Sequence, residues 1–172
     1  DFTGTEKEYT EILSRNTNRN SSNSISQNIN VLEHPAYADI KNWIIKNLNN
    51  YRDNILNPKF DMEIYLTESW VNYTNQNEQH HPHKHSNSYL SGVFYLNQPD
   101  DSIDISTSGT EFAPSGVEGA GKYFAEMRIG SWIIFPGKTL HRPGILSSKN
   151  SRFISEYYIL YTRTIILIKA IN

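Results

Sequence analysis

Residues 80–96 read HHPHKHSNSYLSGVFYL, a cluster of four histidines followed directly by a run of strand-forming residues. Imidazole is a common metal ligand because it is neutral near physiological pH. The chain has no cysteine, which structural zinc sites usually use. The cluster therefore indicates either part of a catalytic metal site or a solvated polar loop, and residues elsewhere in the chain decide between the two.

The composition bounds the class of protein. With 172 residues the chain has the length of one domain, and we expect a single domain over residues 1–172. The net charge of −2 gives no basic field for nucleic acid. The absence of cysteine excludes disulfides and a thiol nucleophile, and it fits a reducing cytosol. No stretch is long and apolar enough for a membrane span, and the start lacks a signal-peptide pattern.

The first 58 residues predict a loop and a supporting helix. Residues 16–30 are almost all polar and predict a long loop. Pro35 suits the first turn of a helix, and apolar residues then recur at steps of three and four up to Tyr51. This apolar face consists of Tyr37, Ile40, Trp43, Ile44 and Leu48. We expect the helix to pack against the outside of a sheet.

Residues 59–172 predict many short strands. The candidates are residues 60–66, 69–73, 89–96, 103–106, 110–113, 124–129 and 132–135, with two strands sharing a bend over 152–168. Short strands that follow a helix favour a mainly β fold, an antiparallel sandwich or barrel with helices on one side.

A candidate site combines the histidine cluster with residues far along the chain. Residues two apart on a strand share a face, so His83 and His85 can point the same way. His141 follows the strand at 132–135 and a Pro-Gly turn, and it is the natural third ligand. Three protein ligands leave metal positions open for substrate and water, and nitrogen and oxygen donors suit Fe(II), Mn(II), Ni(II) or Zn(II). Taken by itself, Arg152 would be interpreted as a surface residue in a salt bridge. Beside a metal site, however, its guanidinium could bind the carboxylate of a 2-oxoacid.

Two motifs carry a resemblance to a known family. One runs His83-x-His85-x-x-Ser88-x-Leu90-Ser91-Gly92-Val93-Phe94-Tyr95-Leu96, and the other is Gly130-Ser131-Trp132-Ile133-Ile134-Phe135-Pro136, followed by His141 and Arg152. Together they resemble the 2-oxoglutarate- and Fe(II)-dependent oxygenases, and among these the enzymes of marine bacteria and phages. The resemblance covers residues 70–158, about half of the chain.

The resemblance implies a double-stranded β-helix, also called a jelly-roll or cupin-like barrel, that holds Fe(II) and 2-oxoglutarate. It implies a dioxygenase, a hydroxylase that couples 2-oxoglutarate decarboxylation to oxidation of a small molecule or a protein side chain by O2. His83 and His141 match metal ligands, and Arg152 matches the anchor of the 2-oxoglutarate carboxylate. Asn72 matches a position that often touches the 2-oxoacid, and Tyr89 could face the same pocket or pack. The implied location is the cytoplasm of a bacterium or a phage-infected host.

His85 departs from the family pattern, which has Asp or Glu two residues after the first histidine. Three interpretations follow. His85 itself binds the metal, which we favour because the i, i+2 spacing places its ring correctly. Alternatively it lies near the metal without binding, or a carboxylate such as Asp104 enters from another strand. His80 and His81 are interpreted as flanking loop residues.

Two other functions compete with the oxygenase. A cupin-type dioxygenase or isomerase could use three histidines, but the glutamate of its first motif is missing and Arg152 then has no assigned role. A non-catalytic jelly-roll binding module leaves the combination of His83, His85, His141 and Arg152 unexplained. We therefore favour the oxygenase.

Overall fold

A computed structural model describes residues 15–17, 23–97, 109–113, 121–126, 130–143 and 152–163. The described residues form nine strands and one α-helix. The strands are β1 (Arg15–Thr17), β2 (Ser24–Ser26), β3 (Met62–Thr74), β4 (Leu90–Asn97), β5 (Gly109–Ala113), β6 (Tyr123–Glu126), β7 (Trp132–Pro136), β8 (Leu140–Pro143) and β9 (Arg152–Arg163). They form a six-stranded sheet in the order β1-β2-β3-β9-β4-β7 and a three-stranded sheet in the order β6-β5-β8. All pairings between these strands are antiparallel.

The helix α1 spans Ala38–Tyr51 after 3-10 turns at Val31–Glu33 and Pro35–Tyr37, and a π turn at Arg52–Leu56 follows it. Asn57 ends the helical segment in the left-handed conformation, with φ of 40°. The buried face of α1 packs on one face of the large sheet, as the apolar spacing predicts. The core between them contains Val31, Leu32, Tyr37, Ile44, Leu48, Val71, Tyr73 and Leu90. Among the described residues, no helix is long and apolar enough to cross a membrane.

The small sheet covers the opposite face of the large sheet. Val93 and Tyr95 of β4 and Phe135 of β7 pack there against Phe112 of β5 and Ala125 of β6. The Tyr95 hydroxyl also shares a hydrogen bond of 2.8 Å with Thr110 Oγ1 across the two sheets. The molecule therefore has three layers, with α1 outside and the second core between the sheets. This confirms the predicted mainly β class with helical support.

The strand predictions differ from the structure at several places, one of them β8, which was not predicted. Residues 62–66 and 69–73 belong to one strand, β3, whose pairing with β9 shifts register between Leu66 and Glu68. The predicted loop at 16–30 is wrong in part, because β1 and β2 extend the large sheet beyond β3. Polar residues suffice there because backbone hydrogen bonds to the neighbouring strands hold β1 at the edge and β2 beside it. The described part of the 152–168 segment is one strand, and residues 103–106, including Asp104, lie outside the described residues.

Candidate metal centre

The backbone joins the histidine loop to β8. His83 and His141 form an isolated antiparallel bridge, in which each N–H donates to the other residue's carbonyl at 3.0 Å. Gly137 provides a second attachment. Its carbonyl accepts from the His85 N–H at 2.7 Å, and its N–H donates to the Tyr89 carbonyl at 3.1 Å. Residues 48 to 58 positions apart in sequence therefore meet at fixed positions.

The three predicted ligands lie together. The ring centroids of His83 and His141 are 4.4 Å apart, those of His83 and His85 4.9 Å, and those of His85 and His141 4.8 Å. One nitrogen of each ring lies within 4.8 Å of the others, which is close enough for all three to hold one ion. Among the described residues, no Asp or Glu belongs to this group.

Hydrogen bonds occupy the Nδ1 atom of each ring. His83 Nδ1 lies 2.9 Å from the His81 carbonyl, and His141 Nδ1 lies 2.9 Å from the Thr139 carbonyl. Because a carbonyl only accepts, both Nδ1 atoms carry a hydrogen and both Nε2 atoms keep a lone pair. His85 Nδ1 lies 2.7 Å from Ser91 Oγ. Such a partner on the other ring nitrogen is typical of histidines that bind a metal.

The surroundings keep the three rings neutral. Burial lowers the pKa of His85 to about 2 and that of His141 to about 3, and repulsion from neighbouring histidines acts in the same direction. Burial also lowers the pKa of His83, against its hydrogen bond with the His81 carbonyl. A neutral imidazole is the form that binds a metal, so the site is ready to bind at neutral pH.

Whether the residues present fit a metal ion can be tested on His141. Its side chain is 2% exposed, and its Nε2 atom is buried with no hydrogen bond to the described residues. A buried nitrogen without a partner costs free energy unless something binds it. Bound Fe(II) or a similar ion would bind this lone pair, so the donor set fits a metal.

Aromatic rings surround the histidines. Phe135 lies 4.5 Å and Phe112 6.2 Å from His141, centroid to centroid, and Trp70 of β3 contacts His85 edge-to-face at 5.9 Å. His80 adds a further ring, because it is 5% exposed and stacks on His83 at 4.4 Å. His80 is therefore a buried neighbour of the site and not merely a flanking loop residue, which the spacing of the cluster did not indicate.

For the residues predicted to bind 2-oxoglutarate, the structure gives mainly their positions along the strands. Asn72 is fully buried on β3, two residues from Trp70 and therefore on the same strand face. Asn23 Nδ2 donates to Asn72 Oδ1 at 3.3 Å, and Asn72 Nδ2 makes no hydrogen bond to the described residues. The backbone of Arg152 pairs with Thr74, two residues from Asn72. Tyr89 is 36% exposed immediately before β4.

Comparisons with known proteins bear on the family and on the fold. A family model described as "Putative 2OG-Fe(II) oxygenase" matches residues 68–155, about half of the chain. A search of curated proteins finds no match.

Solved structures share the fold. An oxidoreductase of the 2OG-Fe(II) oxygenase family from Burkholderia pseudomallei has a TM-score of 0.62 at 11% identity, covering 89% of this chain and 76% of the other. A prolyl-4-hydroxylase from Pseudomonas putida has a TM-score of 0.58 at 15% identity, with 89% and 81% covered. HygX from Streptomyces hygroscopicus, with nickel, 2-oxoglutarate and hygromycin B bound, has a TM-score of 0.63 at 8% identity, with 89% and 75% covered. These likenesses confirm the predicted double-stranded β-helix.

Proposed function

The chain belongs to the family of 2OG-Fe(II) oxygenases, and we propose that His83, His85 and His141 hold its iron. The protein is an oxidoreductase, a dioxygenase that uses Fe(II), 2-oxoglutarate and O2. Bound iron supplies the place where O2 and 2-oxoglutarate react, with release of CO2 and succinate. The observation that carries the ligand assignment is the set of three rings, those of His85 and His141 buried and that of His83 half-buried, whose nitrogens lie within 4.8 Å of one another.

The three-histidine assignment follows from the local hydrogen bonds as well as from proximity. Each ring has its Nδ1 atom bound to a neighbour, so its Nε2 atom is the one left for the metal. The ring of His85 lies 4.9 Å from that of His83 and 4.8 Å from that of His141, nearly as close as those two rings are to each other, which supports ligation over a position beside the metal. A set of three neutral ligands carries one more positive charge than two histidines and a carboxylate. It therefore favours an anionic co-ligand such as 2-oxoglutarate.

The metal assignment is tested with Ni(II), which does not react with air. We expect His83→Ala and His141→Ala to abolish Ni(II) binding in calorimetry, and His85→Ala to weaken it clearly. His34→Ala is the matched control, since His34 lies before α1, where its Nδ1 accepts a hydrogen bond from the Ala36 N–H and its ring contacts Tyr37. Unchanged affinity in His85→Ala would remove His85 from the ligand set.

We propose that Arg152 and Asn72 bind 2-oxoglutarate, with Tyr89 as a further contact. The support for Asn72 is its buried Nδ2 donor, which makes no hydrogen bond within the described part of the chain and lies on the strand face that carries Trp70. Arg152 rests on the family resemblance and on its place in β9 opposite Thr74. A guanidinium is the group best suited to a carboxylate, because it donates two parallel hydrogen bonds.

The 2-oxoglutarate assignment is tested by succinate release with Fe(II). Arg152→Leu is expected to raise the 2-oxoglutarate concentration needed for half-maximal rate on the order of 10- to 100-fold. Ni(II) affinity should stay unchanged. Arg52→Leu is the control, because Arg52 pairs with Asp53 at the end of α1. An unchanged requirement in Arg152→Leu would place the carboxylate anchor elsewhere.

The substrate is proposed to be a small molecule or a side chain of a protein. The walls near His141 include the aromatic rings of Phe112 and Phe135, which favour an apolar group of the substrate over a phosphate. The net charge of −2 likewise disfavours nucleic acid. A cytoplasmic location stays a prediction that rests on the absence of cysteine. Substrate-stimulated succinate release with peptides and small molecules separates the two classes.

A further inference from the structure

We propose that Ser91 is a positioning residue for the metal centre, which fixes His85 in the tautomer that binds a metal through Nε2. The proposal rests on the assignment of His85 as a ligand, and it concerns the one histidine of the three whose tautomer a carbonyl does not already determine. Ser91 is fully buried on β4, and its Oγ lies 2.7 Å from His85 Nδ1.

A serine hydroxyl can either donate or accept, so this contact alone allows both tautomers of His85. If Ser91 donated to Nδ1, the ring hydrogen would lie on Nε2 and the lone pair needed for a metal would be lost. If Ser91 accepts from Nδ1, Nε2 keeps its lone pair. His83 and His141 have no such choice, because their partners are backbone carbonyls.

The next hydroxyl in the chain of hydrogen bonds decides the direction. Ser88 Oγ donates its single hydrogen to the Leu90 carbonyl, so it can only accept from Ser91. Ser91 Oγ lies 3.4 Å from Ser88 Oγ and donates to it. With its hydrogen used in this way, Ser91 must accept from His85 Nδ1. The relay therefore runs from the His85 ring through Ser91 and Ser88 to the Leu90 carbonyl, and every hydrogen in it has an acceptor.

The opposite direction would break the hydrogen bond that Ser91 donates to Ser88. It would also place the ring hydrogen of His85 on Nε2, where a metal needs the lone pair. A carboxylate ligand has no tautomers and needs no such partner. A histidine in its place does, and Ser91 with Ser88 fixes the tautomer of His85.

The first test needs no metal and no activity. In the metal-free protein, two-bond ¹⁵N–¹H correlation spectra distinguish Nδ1–H from Nε2–H histidines, and we expect His85 to be the Nδ1–H form. In Ser91→Ala the Nε2–H form should appear, while His83 and His141 stay Nδ1–H. Ser91→Thr keeps a hydroxyl and should restore the wild-type form. Wild-type His85 in the Nε2–H form, or a Ser91→Ala spectrum identical to wild type, would overturn the proposal.

The second test measures Ni(II) affinity. Loss of an outer partner of a metal-binding histidine weakens binding about 10- to 100-fold, and we expect this of Ser91→Ala. Ser26→Ala is the matched control, because Ser26 is a buried serine with two hydrogen bonds on β2, away from the histidines. It should unfold at a lower temperature and bind Ni(II) with unchanged affinity. Equal losses of affinity in both variants would show a general loss of stability and contradict the proposal.

A double variant separates this proposal from the ligand assignment. In a His85→Ala background, Ser91→Ala should weaken Ni(II) binding no further, because Ser91 acts only through His85. An additional loss in that background would give Ser91 another role and overturn the proposal. If His85→Ala alone leaves affinity unchanged, the three-histidine assignment fails, whereas the tautomer spectra still test whether Ser91 orients the ring.

Discussion

The backbone at Gly137 lies closer to the histidine loop than a side chain would allow. A Cβ atom there would lie 2.3 Å from the Ser88 carbonyl oxygen and 2.8 Å from that of His85. Both are backbone atoms, which cannot turn away as the end of a side chain can. The glycine therefore sets how closely the turn between β7 and β8 approaches the loop that carries His83 and His85.

Gly137→Ala is accordingly expected to damage the metal centre. Overpacking of this kind costs about 1–3 kcal/mol, and the loop must move to relieve it. We expect a lower free energy of unfolding in urea together with weaker Ni(II) binding. Gly130→Ala is the control, because Gly130 has φ of +77° and open space around it, so alanine adds strain of about 1–2 kcal/mol without a clash. If the two variants bind Ni(II) equally, the close approach does not position the site.

At the scale of elements, α1 supports the large sheet from the face opposite the small sheet. Ile44 is fully buried in the core with Val71 and Tyr73, whereas its neighbour Ile45 is 37% exposed. Trp70 and Asn72 lie on the other face of β3, as the alternation along a strand requires. A substitution in the buried face of α1 therefore weakens the core without touching the proposed metal ligands directly.

The corresponding prediction compares adjacent isoleucines. Ile44→Ala should lower the free energy of unfolding by about 2–5 kcal/mol, the range for large apolar residues in a core. Ile45→Ala should change it by less than about 1 kcal/mol, because exposed positions tolerate substitution. Both are measured by urea unfolding of the metal-free protein. Equal effects of the two substitutions would contradict the packing of α1 described above.

An ion cluster on the small sheet gives a prediction for pH. Glu111 of β5 accepts from Arg142 of β8 at 3.0 Å and from Lys122 at 2.7 Å, and its side chain is only 9% exposed. Burial acts to raise the pKa of Glu111, but the hydrogen bonds from Lys122 and Arg142 outweigh it and hold the pKa below 4.5. The stabilisation is therefore present above the pKa of the unfolded chain, and it is lost as the pH falls through the lower pKa of the folded protein.

Glu111→Gln is expected to lower the free energy of unfolding at pH 7 by about 1.5–3 kcal/mol, as for hydrogen bonds to charged groups. The difference from wild type should shrink as the pH falls from about 4.5 through the lower pKa of the folded protein, because Glu111 of the unfolded chain takes up its proton first. Glu33→Gln, whose partner is Lys41 at an exposed position, should cost less than about 1 kcal/mol. A difference that is constant from pH 7 to pH 3 would contradict the role of the ionised carboxylate.

Sequence patterns predict these elements to different degrees. The helix follows from the spacing of Ile40, Ile44 and Leu48, and β4 and β7 follow from dense runs of β-formers, since both are local properties. β1 and β2 cannot be predicted in this way, because these polar strands are stabilised by neighbouring strands that the local sequence does not reveal. The clustering of the histidines at 83, 85 and 141 as candidate ligands can be predicted from spacing and motif. The burial of His80, the relay through Ser91 and the close approach at Gly137 depend on contacts between distant segments.

At the scale of the whole molecule, the metal centre joins segments that neither core contains. His85 hydrogen-bonds to Ser91 of β4 in the large sheet, whereas His83 pairs with His141 of β8 in the small sheet. A metal held by all three would therefore bridge the two sheets. Unfolding would separate its ligands and release it, so binding must stabilise the folded state by linkage.

Ni(II) at about 100 times its dissociation constant should add about 2.7 kcal/mol of stability. For a chain of this length, that corresponds to a rise in Tm of about 5–11 °C, which differential scanning calorimetry detects. His141→Ala should show no rise. Ile44→Ala should start from a lower Tm and show the wild-type rise, because the core beneath α1 and the metal centre lie on opposite faces of the large sheet. A rise that is also lost in Ile44→Ala would mean that the packing of α1 holds the ligands in place, and the three layers would then act as one unit toward the metal.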